Sequence, residues 1–330
     1  MTIDILGLSC NVALRLFSMA ESRLSIVLFH SVLSAADPMR ESVPNVSCFA
    51  EQIRWLQGGF KILPLREATE RLHGGKLPAR ALCITFDDGY RDNALNALPV
   101  LVDLKVPATF FVTTRYLEGG MMWNDRVIES VRVWPHDKID MSPYGLDSIA
   151  LGSDRQRVLN DLLVRIKYLP YDQREMVTAD LLTRSGARTE RMMMNENEIR
   201  SLHRAGMEIG GHTASHPILC ALDDERVLRE IAENKAELET IISADVDSFA
   251  YPNGRPQRDF AARHIAMLRS CGYRRAVTTA PGTATVGCSP WQLPRYTPWD
   301  RAQPKYLGRM LRNYFENAEQ VLDTASSVLA

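Results

Sequence analysis

The sequence predicts an α/β fold with a parallel sheet, and two observations lead to this prediction. Short apolar, β-rich runs recur along the chain with helical patterns between them, as in proteins whose parallel strands are joined by helices. Ionisable side chains also recur where these runs end, which is where parallel α/β proteins carry their chemistry. The six runs are LSIVLFH (24–30), ALCITFDD (81–88), ATFFVTT (108–114), MEIGGH (207–212), SFAYP (248–252) and RRAVTT (274–279).

The clearest helix lies in the segment DDERVLREIAENKAELETII (223–242). Asp223 is a suitable N-cap, and apolar residues follow it at helical spacing. We expect similar helices at residues 93–105, 195–205 and 258–271. The apolar face of the first helix is predicted to contain Val227, Leu228, Ile231, Leu238 and Ile241.

Three segments flank or interrupt the main domain, which we place at residues 24–300. Residues 1–23 are apolar, but their charged residues fit neither a secretory signal nor a bilayer span, and we expect a helix packed on the domain. A helix on a membrane surface is the alternative. Residues 119–194 or so break the alternation and are interpreted as a long insertion between two strands. Residues 301–330 are predicted to form a helical tail.

The composition is that of a soluble globular protein, with 45% hydrophobic and 24% charged residues among 330. A formal net charge of −1 gives no sign of nucleic-acid binding. The six cysteines are scattered without a CxxC pair, as expected for reduced thiols in a cytoplasmic protein. Membrane association through residues 3–20 is compatible with this location, and the sequence leaves the oligomeric state open.

Two adjacent carboxylates, Asp87 and Asp88, end the second apolar run. Successive side chains of a strand point to opposite sides, so the two carboxylates cannot do the same work. One can bind a metal ion while the other reaches a water molecule, and the cation offsets the repulsion between them. Gly89 allows a sharp turn after the pair. A helix N-cap would explain one aspartate but not two.

The segment GGHTASHP (210–217) carries two histidines four residues apart, His212 and His216. The glycines before them and Pro217 after them favour a loop over a helix interior. Together with an aspartate from another strand end, the imidazoles form a set of two nitrogens and one oxygen. Such a three-ligand set leaves positions for water and substrate, and is therefore typical of a catalytic metal site.

TFDDG (85–89) and HTASH (212–216) resemble the first two signature motifs of the polysaccharide deacetylases, carbohydrate esterases related to chitooligosaccharide deacetylase. The resemblance extends over residues 24–300. It implies a distorted (β/α) barrel with about seven strands and metal-dependent removal of acetyl from an N-acetylhexosamine. By motif position it implies that Asp87 is the general base and that the metal ligands are Asp88, His212 and His216. Zinc is the default metal for this set, although other first-row ions suit it.

The third motif of the family, Arg-x-Pro-Tyr-Gly, is only partly present as AYPNG (250–254). Ala250 stands where the family has arginine, and Asn253 stands where it has tyrosine. The oxyanion contact of this motif comes from a backbone N–H group, which Asn253 can still supply. Arg295, in LPRYTPW, is a candidate replacement for the missing arginine, with an ordinary surface arginine as the alternative.

The family's last motif, a Leu-x-His that supplies the general acid, is absent, since no histidine follows His264. His30 in LFHSVL resembles the acid histidine of a subgroup that takes it from the N-terminal side. A structural histidine in the barrel mouth is the alternative. Trp123 and Asp125 are candidates for lining a sugar site, with anchoring of the insertion as the alternative for Trp123.

The expected reaction is hydrolysis of the acetamide of an N-acetylated polysaccharide or glycan precursor, giving acetate and a free amino sugar. Two other functions compete with it. An amidase of the same fold acting on a cyclic imide would carry nearly the same catalytic residues. A glycan-binding pseudoenzyme is disfavoured because a binding protein has no need of Asp87 beside three metal ligands. The sequence does not indicate which glycan or linkage is recognised.

Overall fold

A curled sheet of seven strands forms the centre of the computed structural model, which describes residues 23–188, 190–316 and 318–321. The strands are β1 (Leu24–Phe29), β2 (Lys61–Ile62), β3 (Ala81–Phe86), β4 (Thr109–Val112), β5 (Lys138–Ile139), β6 (Ile149–Ala150), β7 (Glu208–Gly211), β8 (Ser248–Ala250) and β9 (Arg275–Val277). The large sheet has the order β1-β3-β4-β7-β8-β9, with β2 beside β3, and its pairs are parallel. Each of the six apolar runs contains one strand.

The sheet is closed by a segment that lies outside the named strands. Leu293 pairs in parallel with Val277 of β9, and Tyr296 pairs in parallel with Val27 of β1. The predicted distorted (β/α) barrel is therefore confirmed. This closure also places Arg295 between the first and the last strand of the barrel.

Strands β1 and β3 are buried on both faces, which explains why their sequences lack charged residues. Val27 and Ile84 belong to an apolar cluster that also contains Leu238 of a flanking helix. The alternate residues Ile26 and Cys83 belong to a second cluster. Because side chains alternate along a strand, the two clusters occupy opposite faces of the sheet.

The helices largely follow the predicted pattern. They are α1 (Val46–Gly59), α2 (Leu65–His73), α3 (Leu98–Asp103), α4 (Trp123–Val133), α5 (Arg155–Lys167), α6 (Tyr171–Ser185), α7 (Glu196–Arg204), α8 (Asp224–Ile242), α9 (Ala262–Ser270) and α10 (Gln303–Tyr314). Asp223 caps α8, since its carboxylate accepts a hydrogen bond of 2.8 Å from the amide of Arg226. The assignment of Leu228 to the buried face is wrong, because this side chain is 38% exposed. It lies one residue beyond the buried Val227 and is therefore rotated by about 100° around the helix.

The helix predicted at residues 93–105 is shorter and less regular than expected. Asn93–Ala97 form a π-helical turn, and α3 follows it. Pro99 stands at the start of α3, where its ring would crowd the carbonyl four residues earlier and where it has no amide hydrogen to donate. A widened turn before Pro99 accommodates both constraints.

The insertion predicted at residues 119–194 lies between β4 and β7 and contains α4, α5, α6 and the antiparallel pair β5–β6. Its elements pack around an apolar cluster of their own, which includes Val127, Leu162 and Leu181. Its helices α5 and α6 are separated by a short break. Pro170 precedes α6, and the residue before a proline disfavours helical geometry.

The two ends of the chain are described only in part. Residues 1–22 lie outside the described residues, so the N-terminal helix and its membrane-surface alternative stay predictions. Helix α10 lies within the predicted tail, and residues 322–330 are not described. In the described ranges, none of the helices combines the length and apolar character needed to cross a bilayer. The cysteines of these ranges are unpaired, namely Cys48, Cys83, Cys220, Cys271 and Cys288.

Candidate active site

One cavity of about 490 Å³ opens at the carboxyl ends of the strands. The residues that reach it follow β1, β3, β7 and β8, because parallel strands end at the same edge of a sheet. Trp123 of the insertion also lines it. Seven of the residues singled out in the sequence line this cavity: His30, Asp87, Asp88, Trp123, His212, His216 and Asn253.

Asp88, His212 and His216 form a compact group of three buried ligands. One potential ligand atom from each lies within 4.8 Å of the others. Oδ1 of Asp88 is 3.4 Å from Nε2 of His212 and 3.5 Å from Nε2 of His216. Among the described residues this oxygen has no hydrogen-bond partner, although it is buried. A buried carboxylate oxygen left between two imidazole nitrogens fits a divalent cation, which would satisfy all three.

A hydrogen bond orients the ring of His212, and burial keeps the ring of His216 neutral. Nδ1 of His212 lies 2.7 Å from the carbonyl oxygen of Ala250, so the proton belongs on Nδ1 and Nε2 is left to bind a metal. Burial opposes protonation of His212, but Asp87 and Asp88 outweigh it and raise its pKa. Burial lowers the pKa of His216 to about 3, which keeps that ring neutral.

Helix α8 fixes the loop that carries the two histidines. Glu230 accepts hydrogen bonds from the amide of Ser215 at 2.7 Å and from its hydroxyl at 2.6 Å. Oδ1 of Asn234 accepts from the amide of His212 at 3.0 Å. Glu230 and Asn234 are one turn apart on α8, so a single face of this helix sets the positions of both ends of the loop.

The insertion contacts the same loop through Arg174 of α6. Nη2 of Arg174 donates to the carbonyl oxygen of His216 at 3.4 Å. The guanidinium lies 5.2 Å from the ring centre of Trp123 and 5.3 Å from that of Tyr171. Arg174 is almost fully buried, so this charge depends on its aromatic neighbours and on Glu175 at 3.7 Å. No local sequence pattern around Arg174 indicates this contact.

Asp87 is held by Arg295 rather than by the group of metal ligands. The guanidinium donates from Nη1 to Oδ1 of Asp87 at 2.7 Å and from Nη2 to Oδ2 at 2.6 Å. Its Nε donates to the carbonyl oxygen of Thr278 at 2.9 Å, which fixes the orientation of the pair. Arg295 is only 1% exposed, so the alternative of an ordinary surface arginine is wrong. Burial disfavours the charge on Asp87, but Arg295 and His212 offset this effect and lower its pKa.

Left-handed backbone conformations concentrate at this site. The φ angles are 78° at Asp88, 56° at His216 and 59° at Asn253. Residues with a Cβ pay on the order of 1 kcal/mol for this conformation, and such strain is common where function requires it. Gly89 follows at φ 87°, and a Cβ atom there would lie 2.8 Å from Cγ1 of Val112. The turn after the two aspartates therefore requires glycine.

His30 lies at the rim of the cavity and is exposed. Its carbonyl oxygen accepts a hydrogen bond of 2.8 Å from Nδ2 of Asn93, which anchors the backbone below the ring. Burial raises the pKa of Asp87 and of Asp88, but nearby charged groups outweigh it, and His30 is one of the weaker groups that lower the two pKa values. An exposed ring at the mouth of the cavity is accessible to a bound substrate.

Asn253 faces the cavity from the loop after β8. Its carbonyl oxygen accepts from the hydroxyl of Thr279 at 2.5 Å, and this contact holds the loop. Nδ2 of Asn253 is buried and has no hydrogen-bond partner within the part of the chain that the structure describes. The side chain thus places an unpaired donor group in a residue that lines the cavity.

The residues that support the ligands, Glu230 and Asn234, were missed from the sequence. Each stands on the buried side of α8, where apolar residues such as Val227 and Ile231 form the main contact. Two polar residues four positions apart within an apolar stripe could have indicated a partner across the helix interface.

The sequence model of the family described as polysaccharide deacetylase matches residues 74–145 and 177–276 of this chain. The poly-beta-1,6-N-acetyl-D-glucosamine N-deacetylase of Staphylococcus epidermidis is 24% identical over 224 residues, which cover 65% of this chain and 76% of that protein.

Two solved structures resemble the whole fold. The deacetylase PplD of Streptococcus pyogenes, in complex with acetate, gives a TM-score of 0.60 at 18% identity, covering 88% of this chain and 98% of that one. IcaB from Ammonifex degensii gives a TM-score of 0.55 at 19% identity, covering 87% of this chain and 96% of that one. The family match extends over more than half of the chain, and it includes both aspartates and both histidines of the site. The chain belongs to the polysaccharide deacetylase family and is a hydrolase of carbon–nitrogen bonds.

Proposed function

We propose that this protein catalyses metal-dependent hydrolysis of the N-acetyl group of N-acetylhexosamine units in a polysaccharide. The observation that carries the proposal is that Asp87, held by Arg295, lines one cavity together with the ligand group Asp88, His212 and His216. The relative from Staphylococcus epidermidis acts, by its name, on poly-β-1,6-N-acetylglucosamine. This polymer is therefore the first substrate to examine.

The three ligands would hold the metal ion, and zinc is the default for two imidazoles and one carboxylate. When bound there, the ion supplies Lewis acidity to the amide carbonyl and lowers the pKa of water. The buried oxygen of Asp88 without a partner supports this assignment.

Asp87 is proposed to accept the proton of the attacking water. A general base must be ionised at the working pH, and the two hydrogen bonds from Arg295 keep Asp87 in that form. Its Oδ2 is 3.9 Å from Nε2 of His212, so the base lies beside the ligand group without belonging to it.

Asn253 and His30 are proposed to act on the two other atoms of the amide. The backbone N–H of Asn253, with its left-handed geometry, would donate to the oxygen that becomes negatively charged. His30, exposed at the rim, would give a proton to the departing nitrogen. Water adds to the carbonyl carbon, the carbon–nitrogen bond breaks, and the products are acetate and a free amine.

The size of the site favours a glycan over a small cyclic imide. The cavity of about 490 Å³ adjoins another of about 630 Å³, and the two share lining residues. A small imide would fill only part of the first cavity, whereas a sugar chain requires an open, extended site.

Measurement of acetate release by zinc-reconstituted protein tests the proposal. The substrates are β-1,6-linked N-acetylglucosamine oligomers, the β-1,4-linked isomers and a cyclic imide. We expect zinc-dependent acetate release from at least one glycan series and no opening of the imide. Opening of the imide without acetate release would identify an amidase, and glycan binding without any hydrolysis would identify a binding protein.

A further inference from the structure

The two histidines of the ligand group differ in how their second ring nitrogen is held. Nδ1 of His212 lies 2.7 Å from the carbonyl oxygen of Ala250. Nδ1 of His216 is buried, and among the described residues it has no hydrogen-bond partner. A histidine that binds a metal ion through one nitrogen usually donates the proton of its other nitrogen to an acceptor. His216 therefore requires an acceptor that the ligand group itself does not supply.

Two further buried atoms without partners lie on helix α6 of the insertion. They are Nε of Arg174 and Oε1 of Glu175, which are 3.7 Å apart and thus too distant for a direct hydrogen bond. Nη2 of the same arginine donates to the carbonyl oxygen of His216 at 3.4 Å. Within the ranges that the structure describes, the three unpaired atoms therefore belong to neighbouring side chains at the contact between the insertion and the barrel.

The three unpaired atoms become two donors and one acceptor when a metal ion is bound. Nε2 of His216 faces Oδ1 of Asp88 at 3.5 Å, so Nδ1 is the nitrogen that carries the proton when Nε2 binds the ion. Nε of Arg174 is also a donor, whereas a carboxylate oxygen of Glu175 can only accept. A buried water molecule typically makes about three hydrogen bonds to such groups, and a single one matches this set.

The position of Glu175 is fixed through its other carboxylate oxygen. Oε2 accepts a hydrogen bond of 3.0 Å from Nη1 of Arg126 on α4. Arg174 is fixed in turn by Trp123, the first residue of α4, whose ring centre lies 5.2 Å from the guanidinium. Two helices of the insertion thus hold Oε1 of Glu175 in place for a partner on the side of His216.

This contact joins a signature motif of the family to a segment outside it. His216 lies within the second of the two segments that match the family model, whereas Arg174 and Glu175 lie between these segments. The motifs that contain the aspartates and histidines therefore assign no role to either insertion residue. Their role has to be inferred from the contacts of this chain.

We propose that Glu175 positions His216 for metal binding through one buried water molecule. Nδ1 of His216 and Nε of Arg174 donate to the water, and the water donates to Oε1 of Glu175. This arrangement keeps the ring proton on Nδ1, so Nε2 stays free for the ion. The inference rests on the proposed function, because it assigns a positioning residue to the same metal site. It makes the insertion a part of that site.

Zinc affinity, measured by competition with a chromophoric chelator, tests the role of Glu175. Glu175→Ala removes the acceptor and should raise the zinc dissociation constant about tenfold. Glu175→Gln keeps a carbonyl oxygen that can accept from the water and should recover most of the affinity. Asp180→Ala removes a carboxylate of the same helix that pairs with Arg184 at 3.2 Å, and should leave the constant as in the wild type.

Nitrogen-15 NMR of the histidine rings separates positioning from packing. In the zinc-loaded wild-type protein we expect His216 to be protonated at Nδ1, with a proton that exchanges slowly with solvent. Glu175→Ala should make this exchange faster, while the Nδ1 proton of His212 should be unaffected, because the carbonyl oxygen of Ala250 holds it. Protonation of His216 at Nε2 in the wild-type protein would overturn the proposal, and this result does not depend on the folding of any variant.

These measurements need no substrate, so they separate failure of this inference from failure of the proposed function. Acetate release by the wild type, with unchanged zinc affinity in Glu175→Ala, would overturn the role of Glu175 and leave the deacetylase assignment standing. Equal losses of affinity in Glu175→Ala and Glu175→Gln would overturn the bridging water. Weaker zinc binding in Glu175→Ala that Glu175→Gln restores, without acetate release from any glycan, would support the inference and contradict the deacetylase.

Discussion

The barrel carries buried charged groups at both ends, and the two ends differ in how these charges are satisfied. At the amino ends of the strands, Arg275 contacts Oδ1 of Asp247 at 2.6 Å, and Arg66 contacts Oδ2 of the same carboxylate at 3.0 Å. Glu208 accepts hydrogen bonds there from the hydroxyl of Ser248 and, at 3.2 Å, from the amide of Arg66. Both carboxylates therefore have protein partners on each oxygen.

At the carboxyl ends of the strands, some buried polar atoms have hydrogen-bond partners and others do not. Asp87 is paired as completely as Asp247, but Asp88 has one buried oxygen without a partner, and Nδ2 of Asn253 is in the same situation. Burial and charge alone thus do not distinguish a site from a structural network. A functional site is distinguished by buried polar atoms that lack partners in residues lining a cavity. The substitutions below compare such a site with the fully paired network at the other end of the barrel.

The largest effect is expected from removing the charge of Asp87. Asp87→Asn should lower kcat for acetate release about 10³-fold, because the amide cannot accept a proton from water. Asp247→Asn, the matched change at the other end of the barrel, should leave kcat unchanged while lowering the melting temperature. Similar losses of kcat in Asp87→Asn and Asp247→Asn would contradict the assignment of catalysis to the carboxyl ends of the strands.

Substitutions of the two buried arginines, Arg275 and Arg295, should show that only one of them affects activity, although both affect stability. Arg275→Met and Arg295→Met each remove a guanidinium from a buried carboxylate, and each should lower the free energy of unfolding by about 3 kcal/mol. Only Arg295→Met should also lower kcat of the folded fraction. Denaturant unfolding and steady-state kinetics measure the two quantities. An Arg295→Met variant with wild-type kcat would remove Arg295 from the catalytic arrangement.

A smaller effect is expected from Arg174, which joins the insertion to the carbonyl oxygen of His216. Arg174→Ala should weaken zinc binding about tenfold, since residues that orient a metal ligand usually have effects of this size. Arg184→Ala on the same helix, where Arg184 lies over Trp134, is the control and should not change zinc affinity. Competition with a chromophoric chelator measures the zinc dissociation constants of both variants. Unchanged affinity in Arg174→Ala would leave that contact with a role in packing alone.

The smallest effect concerns a buried histidine outside the ligand group. Burial lowers the pKa of His264 to about 4, whereas the nearby carboxylates raise the pKa of His212. His264 is neutral in the folded protein and protonates near pH 6.5 when unfolded, so stability should fall as the pH drops from about 6.5 to about 4. About 2 kcal/mol of this contribution is lost by pH 5.

His264→Gln should flatten this part of the pH dependence, which urea unfolding at pH 7 and pH 5 would detect. An unchanged pH dependence in His264→Gln would show that other groups cause the acid destabilisation.

The sequence predicted the parts of the site that lie in continuous motifs. Asp87 and Asp88 directly follow an apolar run, and His212 and His216 are four residues apart in a loop, so local patterns were sufficient for them. The strands could be predicted for the same reason, since β1 and β3 are buried on both faces and their sequences are apolar throughout.

Arg295 and Arg174 were harder to place because their roles depend on tertiary structure. Arg295 reaches Asp87 only because residues around it close the barrel between β9 and β1, which no local pattern reports. Arg174 lies on a surface-type helix of the insertion, and its burial follows from the way that helix packs onto the loop at His216. The cavity of about 630 Å³ likewise combines α5 with Trp299, more than 130 residues apart.

Zinc titration of the wild type, Asp87→Asn and Asp88→Asn, with acetate release measured on the same samples, tests the central claim most directly. We expect one tightly bound zinc ion in the wild type and in Asp87→Asn, and a strong loss of affinity in Asp88→Asn. We expect acetate release from the wild type alone. Loss of zinc binding in Asp87→Asn, or full activity in Asp88→Asn, would contradict the division of work between the two adjacent aspartates.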